Sequence, residues 1–381
     1  MKNGVRMRYV TDFIIESLKK RAVFIGGPRQ VGKTTLALSL INPKANARHG
    51  GYLNWDYEPS AEKIRKSKLP IDQPVIVFDE LHKFKLWKRW IKGVIDVEKG
   101  RRKIIVTGSA RLDLYQKGGD SLFGRYRYVR LHPFSLPELA GKDPAADVER
   151  LLKFGGFPEP LFSENARELK LWQKERLRRI IREDVRDISL IQNISGMETL
   201  AELLPDRVGS PLSVQSLSED VQVDHKTLKR WLAVLESMYF AYRIPPFGSK
   251  KIRAVKKEQK LYLWDWSTIE DPGIRWENMV ASQLLKYCHW LEDSEGDTME
   301  LRYLRDIDRR EVDFVVLKNK KPIFAVECKS GEKAIGRSVH YFAERTAIPK
   351  FYQVHRGEAA FEIGNIKVMP FHLFCHELDM P

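Results

Sequence analysis

Gly27-Pro-Arg-Gln-Val-Gly32-Lys33-Thr34 is the stretch on which the fold assignment turns. It is a complete GxxxxGK[ST] phosphate loop. The apolar run Ala22-Val-Phe-Ile25 before it reads as a buried strand, and Thr35-Leu-Ala-Leu-Ser-Leu40 after it reads as a helix. Glycines let backbone amides turn inward around phosphates, and the new helix adds positive potential at its N-terminus. Gly27, Pro28, Arg29, Gln30, Val31, Gly32, Lys33, Thr34 and Thr35 are therefore the expected ATP-binding set. Lys33 can reach the β and γ phosphates, and the Thr34 hydroxyl can ligate Mg²⁺.

Hydrolysis needs an acid at the tip of a second buried strand. Val75-Ile-Val-Phe78-Asp79-Glu80 supplies two. Asp79 is expected to hold the Mg²⁺ shell, and Glu80 to polarise the attacking water as general base. Lys103-Ile-Ile-Val106 reads as a third strand ending in Thr107-Gly108-Ser109. A hydroxyl at that tip can sense the γ-phosphate, with Ser109 the first choice and Thr107 the alternative; a plain capping serine is the competing reading. Tyr52-Leu-Asn-Trp55 and Tyr126-Arg-Tyr-Val-Arg-Leu131 complete a five-strand, mainly parallel sheet with covering helices.

Further segments extend this pattern: Phe78-Asp79-Glu80-Leu81, Val106-Thr-Gly-Ser109, Ser121-Leu-Phe-Gly124-Arg125, Leu131-His-Pro-Phe-Ser-Leu-Pro-Glu138 and Gly155-Gly-Phe-Pro-Glu159. Together they resemble the AAA+ ATPase domain of a widespread bacterial and archaeal family, over roughly residues 20–160. In that family a C-terminal domain of formerly unknown function follows. The resemblance implies that Arg125 is a cationic finger for a neighbouring subunit's nucleotide, and hence a homo-oligomer, with a hexameric ring one option. A surface arginine beside Arg127 and Arg130 is the plainer reading.

From Glu164 to Ile188 the apolar residues Leu169, Trp172, Leu177, Ile180 and Ile181 recur near a helical period. Arg176, Arg178, Arg179, Arg182 and Arg186 decorate this lid, as a solvated face or a nucleotide reader. Ser213–Asp220 and Asp224–Glu236 read as two helices with capping residues at Ser213 and Asp224. Their short spacing suits a helix-turn-helix, with a basic edge of Lys226, Lys229 and Arg230. Tyr239–Ile244 and Lys260–Trp264 would form a wing. The loop between them carries Lys250, Lys251 and Arg253, candidate phosphate contacts. A winged helix used for protein contacts is the alternative.

Glu311-Val312-Asp313-Phe-Val-Val-Leu317 and Ile323-Phe-Ala-Val326-Glu327-Cys328-Lys329 read as hairpin strands around the turn Asn319–Pro322. Glu327 and Lys329 share one strand face, and the hairpin can place Asp313 beside them. Two carboxylates can bind Mg²⁺ while the lysine orients the water that attacks a phosphodiester. This Asp…Glu-x-Lys pattern resembles the PD-(D/E)xK, restriction-endonuclease-like nucleases, although Val312 stands where the name has proline. The resemblance adds Glu277 as a helical metal ligand. A charged hairpin on a sheet edge is the bland alternative.

The chain has 381 residues, of which 43% are hydrophobic and 31% charged, so it can build cores. At about 150 residues per domain it holds two to three domains. The expected division is an ATPase core at 1–140, a helical lid at 141–204, a winged helix at 205–265 and a nuclease-like α/β domain at 266–381. Met1 to Lys20 has no signal-peptide pattern, and no apolar run approaches the ~18 residues of a membrane helix. Three cysteines without CxxC spacing fit a reducing cytoplasm. The net charge of +15 favours a polyanionic partner. The expected function is an ATP-dependent DNA-processing ATPase that binds duplex or branched DNA, with cleavage by its C-terminal domain. Alternatives are a non-nucleolytic translocase and a protein-binding signalling ATPase.

Overall fold

The computed structural model describes residues 7–108, 122, 124–139, 141–185, 193–248 and 258–381. Ser109, Arg186, Lys250, Lys251 and Arg253 lie outside the described residues. The chain divides into two compact units, Met1–Pro133 with Ser237–Tyr239, and Phe134–Glu236 with Phe240–Pro381. Among the described residues, no helix is long and apolar enough to cross a membrane.

The first unit holds strands β1 (Ala22–Gly26), β2 (Tyr52–Asn54), β3 (Val75–Asp79), β4 (Lys103–Thr107) and β5 (Tyr126–Arg130). Their order is β2-β3-β4-β1-β5 and every pairing is parallel. Continuous apolar runs such as Val75-Ile-Val-Phe78 form such strands because both faces are covered, and every residue of β1 and β3 is buried. Phe24, Phe78 and Val106 pack with Trp87, Ile91 and Val94 of the Trp87–Glu98 helix. With all strands parallel, the C-terminal tips of β1, β3 and β4 share one edge. The phosphate loop, Asp79 and Thr107 therefore meet there. Arg125 precedes β5, and its carbonyl accepts from Ala22 N–H at the start of β1. It stands at the opposite edge, about 16 Å away at 3.3 Å per strand residue.

The second unit opens with the short helix Leu136–Leu139, followed by helices Pro144–Phe154, Pro158–Ser163 and Ala166–Arg179, the last capped by Asn165. Arg176 corrects the lid reading. It is buried, its guanidinium lying 4.3 Å from the Phe157 ring centroid and 5.6 Å from that of Trp172. Helical periodicity counts arginine as polar, whereas its planar head can pack on aromatic faces. Next come helices Ile194–Leu203, Val214–Val221 and His225–Ser237. Ser213 Oγ accepts from Ser216 N–H, and the Asp224 carboxylate accepts from the Lys226 and Thr227 N–H groups. Strands β6 (Ala241–Ile244) and β7 (Lys260–Leu263) then pair antiparallel.

A six-stranded sheet follows: β8 (Met299–Arg305), β9 (Glu311–Lys318), β10 (Lys321–Cys328), β11 (Phe351–His355), β12 (Phe361–Ile363) and β13 (Ile366–Pro370), ordered β12-β13-β11-β10-β9-β8. β8 to β10 run antiparallel, while β11 lies parallel to β10 and β13. Asn319 and Lys320 both adopt left-handed backbone angles, as a two-residue hairpin turn requires. The helix Pro272–Glu295, capped by Asp271, packs against this sheet. Its Asn278 is fully buried and grips β7 with both ends of its amide: Oδ1 accepts from Leu263 N–H and Nδ2 donates to Leu263 O, each at 2.8 Å.

Lys286 of the same helix is 1% exposed. Its ammonium donates to Ser135 Oγ at 2.6 Å and pairs with the equally sequestered Glu138 carboxylate. Removing one partner of a buried pair strands the other charge. Lys286→Met is therefore expected to cost about 3 kcal/mol or more, and adding Glu138→Leu to recover most of it. Denaturant midpoints of the two variants check both expectations.

Candidate functional site

The phosphate loop leaves β1 at Gly27, whose φ is +145°. A Cβ there would lie 2.2 Å from Leu131 O, so only glycine fits. Gly32, at φ +98°, is the N-cap of the helix Lys33–Ile41. Arg8, which the sequence reading missed, braces the loop: its guanidinium donates to Val31 O at 2.9 Å and also to His132 O. Lys33 is buried, its ammonium donating to Gly27 O at 3.0 Å and Pro28 O at 2.7 Å. Gln30 Oε1 is buried with no hydrogen-bond partner. Inward-facing glycine backbone, a helix N-terminus and a buried ammonium form a cradle whose chemistry fits a nucleotide's phosphates.

Asp79 organises the adjoining strand tips. Its Oδ2 accepts from Thr34 Oγ1 at 2.8 Å and from Tyr52 OH at 2.6 Å. Its Oδ1 accepts from Glu80 N–H at 3.1 Å and from Thr107 Oγ1. A carboxylate touching the loop's own hydroxyl suits a shared Mg²⁺ shell. Burial first, then the Asp79 charge, pushes the Tyr52 hydroxyl far up, so it stays protonated as a donor. Burial also pushes Glu80 above the usual carboxylate range, opposed by the Lys33 charge and assisted by Asp79. His82, 3.7 Å from Glu80, is held down at about 4 by burial and then by the Lys83 and Lys33 charges, and is neutral.

Arg125 does not approach this cradle. Its Nε donates to Asp96 Oδ1 at 2.7 Å, beside a cavity of about 680 Å³ lined by Arg21, Arg101 and Lys103 among others.

In the second unit, the hairpin brings Asp313, Glu327 and Lys329 together. Asp313 Oδ2 accepts from Cys328 N–H at 2.7 Å, and Lys329 Nζ donates to Glu327 Oε1 at 2.5 Å. Glu327 is 8% exposed, and its Oε2 is buried without a partner. A buried carboxylate oxygen without a partner, on a side chain flanked by a second acid, fits a divalent cation. Burial first and the Asp313 charge second push both Glu327 and Glu277 well above the usual carboxylate range.

Glu277 faces the same cluster from its helix but has its own company. Its Oε1 accepts from Tyr262 OH at 2.7 Å and from Lys260 Nζ at 3.4 Å. Lys260 also donates to Glu311 Oε1 at 2.5 Å. Among the described residues, no three His, Cys, Asp or Glu side chains are grouped to hold a metal ion. Lys260, Tyr262 and Glu311 escaped the sequence reading; the acid opening β9 was the only signal available. Lys226, Lys229 and Arg230 lie exposed on the His225–Ser237 helix, opposite buried Leu228, Trp231 and Leu232.

Residues 19–140 match the family described as an AAA domain, and residues 145–270 and 272–374 match two domains of unknown function, DUF8612 and DUF4143. The uncharacterized protein MJ1637 of Methanocaldococcus jannaschii is 32% identical over 352 residues, covering 73% of this chain and 70% of that one. The chain belongs to that protein's family. It carries an AAA-type ATPase domain followed by a DUF4143 domain. Uncharacterized protein Rv2008c of Mycobacterium tuberculosis is 21% identical, covering 91% of this chain and 79% of that one. Among solved structures, the Aeropyrum pernix ORC1 protein in complex with DNA aligns at 13% identity, covering 73% of this chain and 93% of that one, with TM-score 0.33. The Thermotoga maritima RuvB Holliday junction branch migration motor aligns at 17% identity, covering 62% and 89%, with TM-score 0.31.

Gly27→Ala is expected to cost about 1–3 kcal/mol through strain and to abolish binding of a fluorescent ATP analogue. Tyr52→Phe removes one donor from a buried carboxylate and is expected to cost about 1.5–3 kcal/mol. Thermal unfolding without nucleotide measures both losses.

Proposed function

We propose that this AAA ATPase is a DNA-processing enzyme in which ATP turnover drives or switches DNA engagement and the C-terminal domain acts on phosphodiesters. The observation that carries the second half is Glu327 Oε2, a buried carboxylate oxygen without a partner beside Asp313 and Lys329. A purely structural hairpin gains nothing from such an atom, since an unsatisfied buried acceptor costs about 1–3 kcal/mol. A divalent ion held by Asp313 and Glu327 would supply Lewis-acid chemistry, and Lys329 would orient the attacking water. DNA would be held through Lys226, Lys229 and Arg230, with Lys250, Lys251 and Arg253 as further contacts. The net charge of +15 supports the same class of partner.

In the ATPase domain, Lys33 would hold the phosphates, Thr34 and Asp79 the Mg²⁺, and Glu80 the attacking water. Ser109 would sense the γ-phosphate, with Thr107, whose hydroxyl is bonded to Asp79, as the alternative. Arg125 stands at the far edge of its own sheet, so a finger role would serve a second copy in a homo-oligomer.

The test is phosphate release with Mg-ATP across single-stranded, duplex and branched DNA, with the same reactions run on a gel. One DNA form is expected to stimulate turnover and to be cut. Lys329→Ala should lower cleavage by about 100-fold or more while leaving ATP turnover intact. Turnover indifferent to every DNA, without cleavage, would sink the proposal in favour of a protein-binding switch.

Glu80 adds a pH expectation. A carboxyl pushed upward keeps its proton to higher pH than an ordinary glutamate, and the protonated form is no base. The kcat/KM for ATP, which reports the free enzyme, should therefore fall with acidification, beginning above the usual glutamate range. Glu80→Gln should abolish turnover at every pH while retaining ATP binding.

A further inference from the structure

The carboxylate cluster of the second unit is divided into two unlike halves. On one side, Glu277 and Glu311 surround the ammonium of Lys260, whose side chain is 1% exposed. The same ammonium lies 5.5 Å from the Tyr303 ring centroid, while Arg305 reaches the other Glu311 oxygen at 3.4 Å. Tyr262 adds a third donor to this side. On the other side, Asp313 Oδ2 accepts from Cys328 N–H, Lys329 donates to Glu327 Oε1, and Glu327 Oε2 is buried without a partner. Lys260 is not free to leave its half. It opens β7, and β7 is locked to the Pro272–Glu295 helix by the Asn278 amide.

We infer that Lys260 is a resident cation that fills the Glu277 half of the cluster, leaving the Asp313–Glu327 half as the place for a single divalent ion. Glu277 then serves the lysine rather than the metal. Both donors to Glu277 sit on Oε1, and a divalent ion brought to the same carboxylate would meet the Lys260 charge at close range in a dry site, with strong repulsion. The inference rests on the phosphodiesterase reading for the presence of an ion, but the allocation of the carboxylates comes from this geometry.

The experiment counts Mn²⁺ on the full-length, nucleotide-free protein by electron paramagnetic resonance. Without nucleotide the phosphate loop lacks the phosphates through which such sites take their ion. One Glu327-dependent ion is expected. Glu327→Gln should weaken it by about 100-fold or more, whereas Glu277→Gln should leave it within about tenfold. Lys260→Met should open the vacated half and bind an additional ion, which Lys260→Met with Glu277→Gln should lose again. Two ions on the wild type, equal damage from Glu277→Gln and Glu327→Gln, or a folded Lys260→Met protein with no added ion would each overturn the inference. If Lys260→Met does not fold, the two glutamine variants decide alone. A folded wild type with no Glu327-dependent ion would overturn the phosphodiesterase reading as well, so the two failures are distinguishable.

Discussion

A carboxylate taken out of water must be met by donors or cations, or else give up its charge. Each unit solves that constraint within itself, and the solutions differ. Asp79 is enclosed by four donors drawn from β2, β4, the phosphate loop and its own neighbour Glu80. The three strand tips are thereby tied to one atom pair. The all-parallel order β2-β3-β4-β1-β5 makes this possible, because it brings those tips to a common edge. In the second unit the donors run short. Lys260 and Tyr262 both donate to Glu277 Oε1, Lys329 takes one oxygen of Glu327, and the other Glu327 oxygen is left without a partner.

What could be read from the sequence was what is local along the chain. The phosphate loop, the acid at the tip of β3 and the caps at Ser213 and Asp224 each occupy a few consecutive residues whose backbone conformation their side chains dictate. The hairpin of β9 and β10 was legible in its turn, but not in its final register: a bulge between Pro322 and Phe324 shifts the pairing by one residue, sets Val326 opposite Phe314 and so brings Glu327 to Asp313. Lys260 was not legible. In sequence it is one more cation in a basic segment, assigned to a wing strand. Its burial follows from the Asn278 clamp and from Glu311, which are distant in the chain and joined only by tertiary packing. Arg176 was lost to a different cause: pattern reading treats every arginine as polar, and Phe157 with Trp172 makes this one part of an aromatic stack.

Tyr52 shows how a site acquires a member that no motif names. Tyr52 lies in the short strand β2, where an aromatic residue suits a sheet edge in any case. Its hydroxyl reaches Asp79 only because β2 pairs with β3 in a register that sets Tyr52 beside Val77 and Asn54 beside Asp79. Register, unlike strand identity, is a property of two segments at once. One residue of slippage would turn the hydroxyl to the other face and leave a buried carboxylate short of a donor.

The two clusters also differ in what they cost the fold. A saturated network such as that around Asp79 rigidifies its surroundings and is compatible with a stable resting state. The half-satisfied group around Glu327 is destabilising as it stands, and well-packed apolar side chains of similar volume would serve stability better. Burial and the Asp313 charge raise its affinity for a proton, which is the protein's own means of relieving the strain. A divalent cation would relieve it more completely, by meeting the partnerless oxygen and the Asp313 charge together. Glu327 Oε2 shares its partnerless state with Asp265 Oδ2 of the same unit; what sets Glu327 apart is the second acid, Asp313, and the Lys329 ammonium beside it, the combination that a divalent cation would meet.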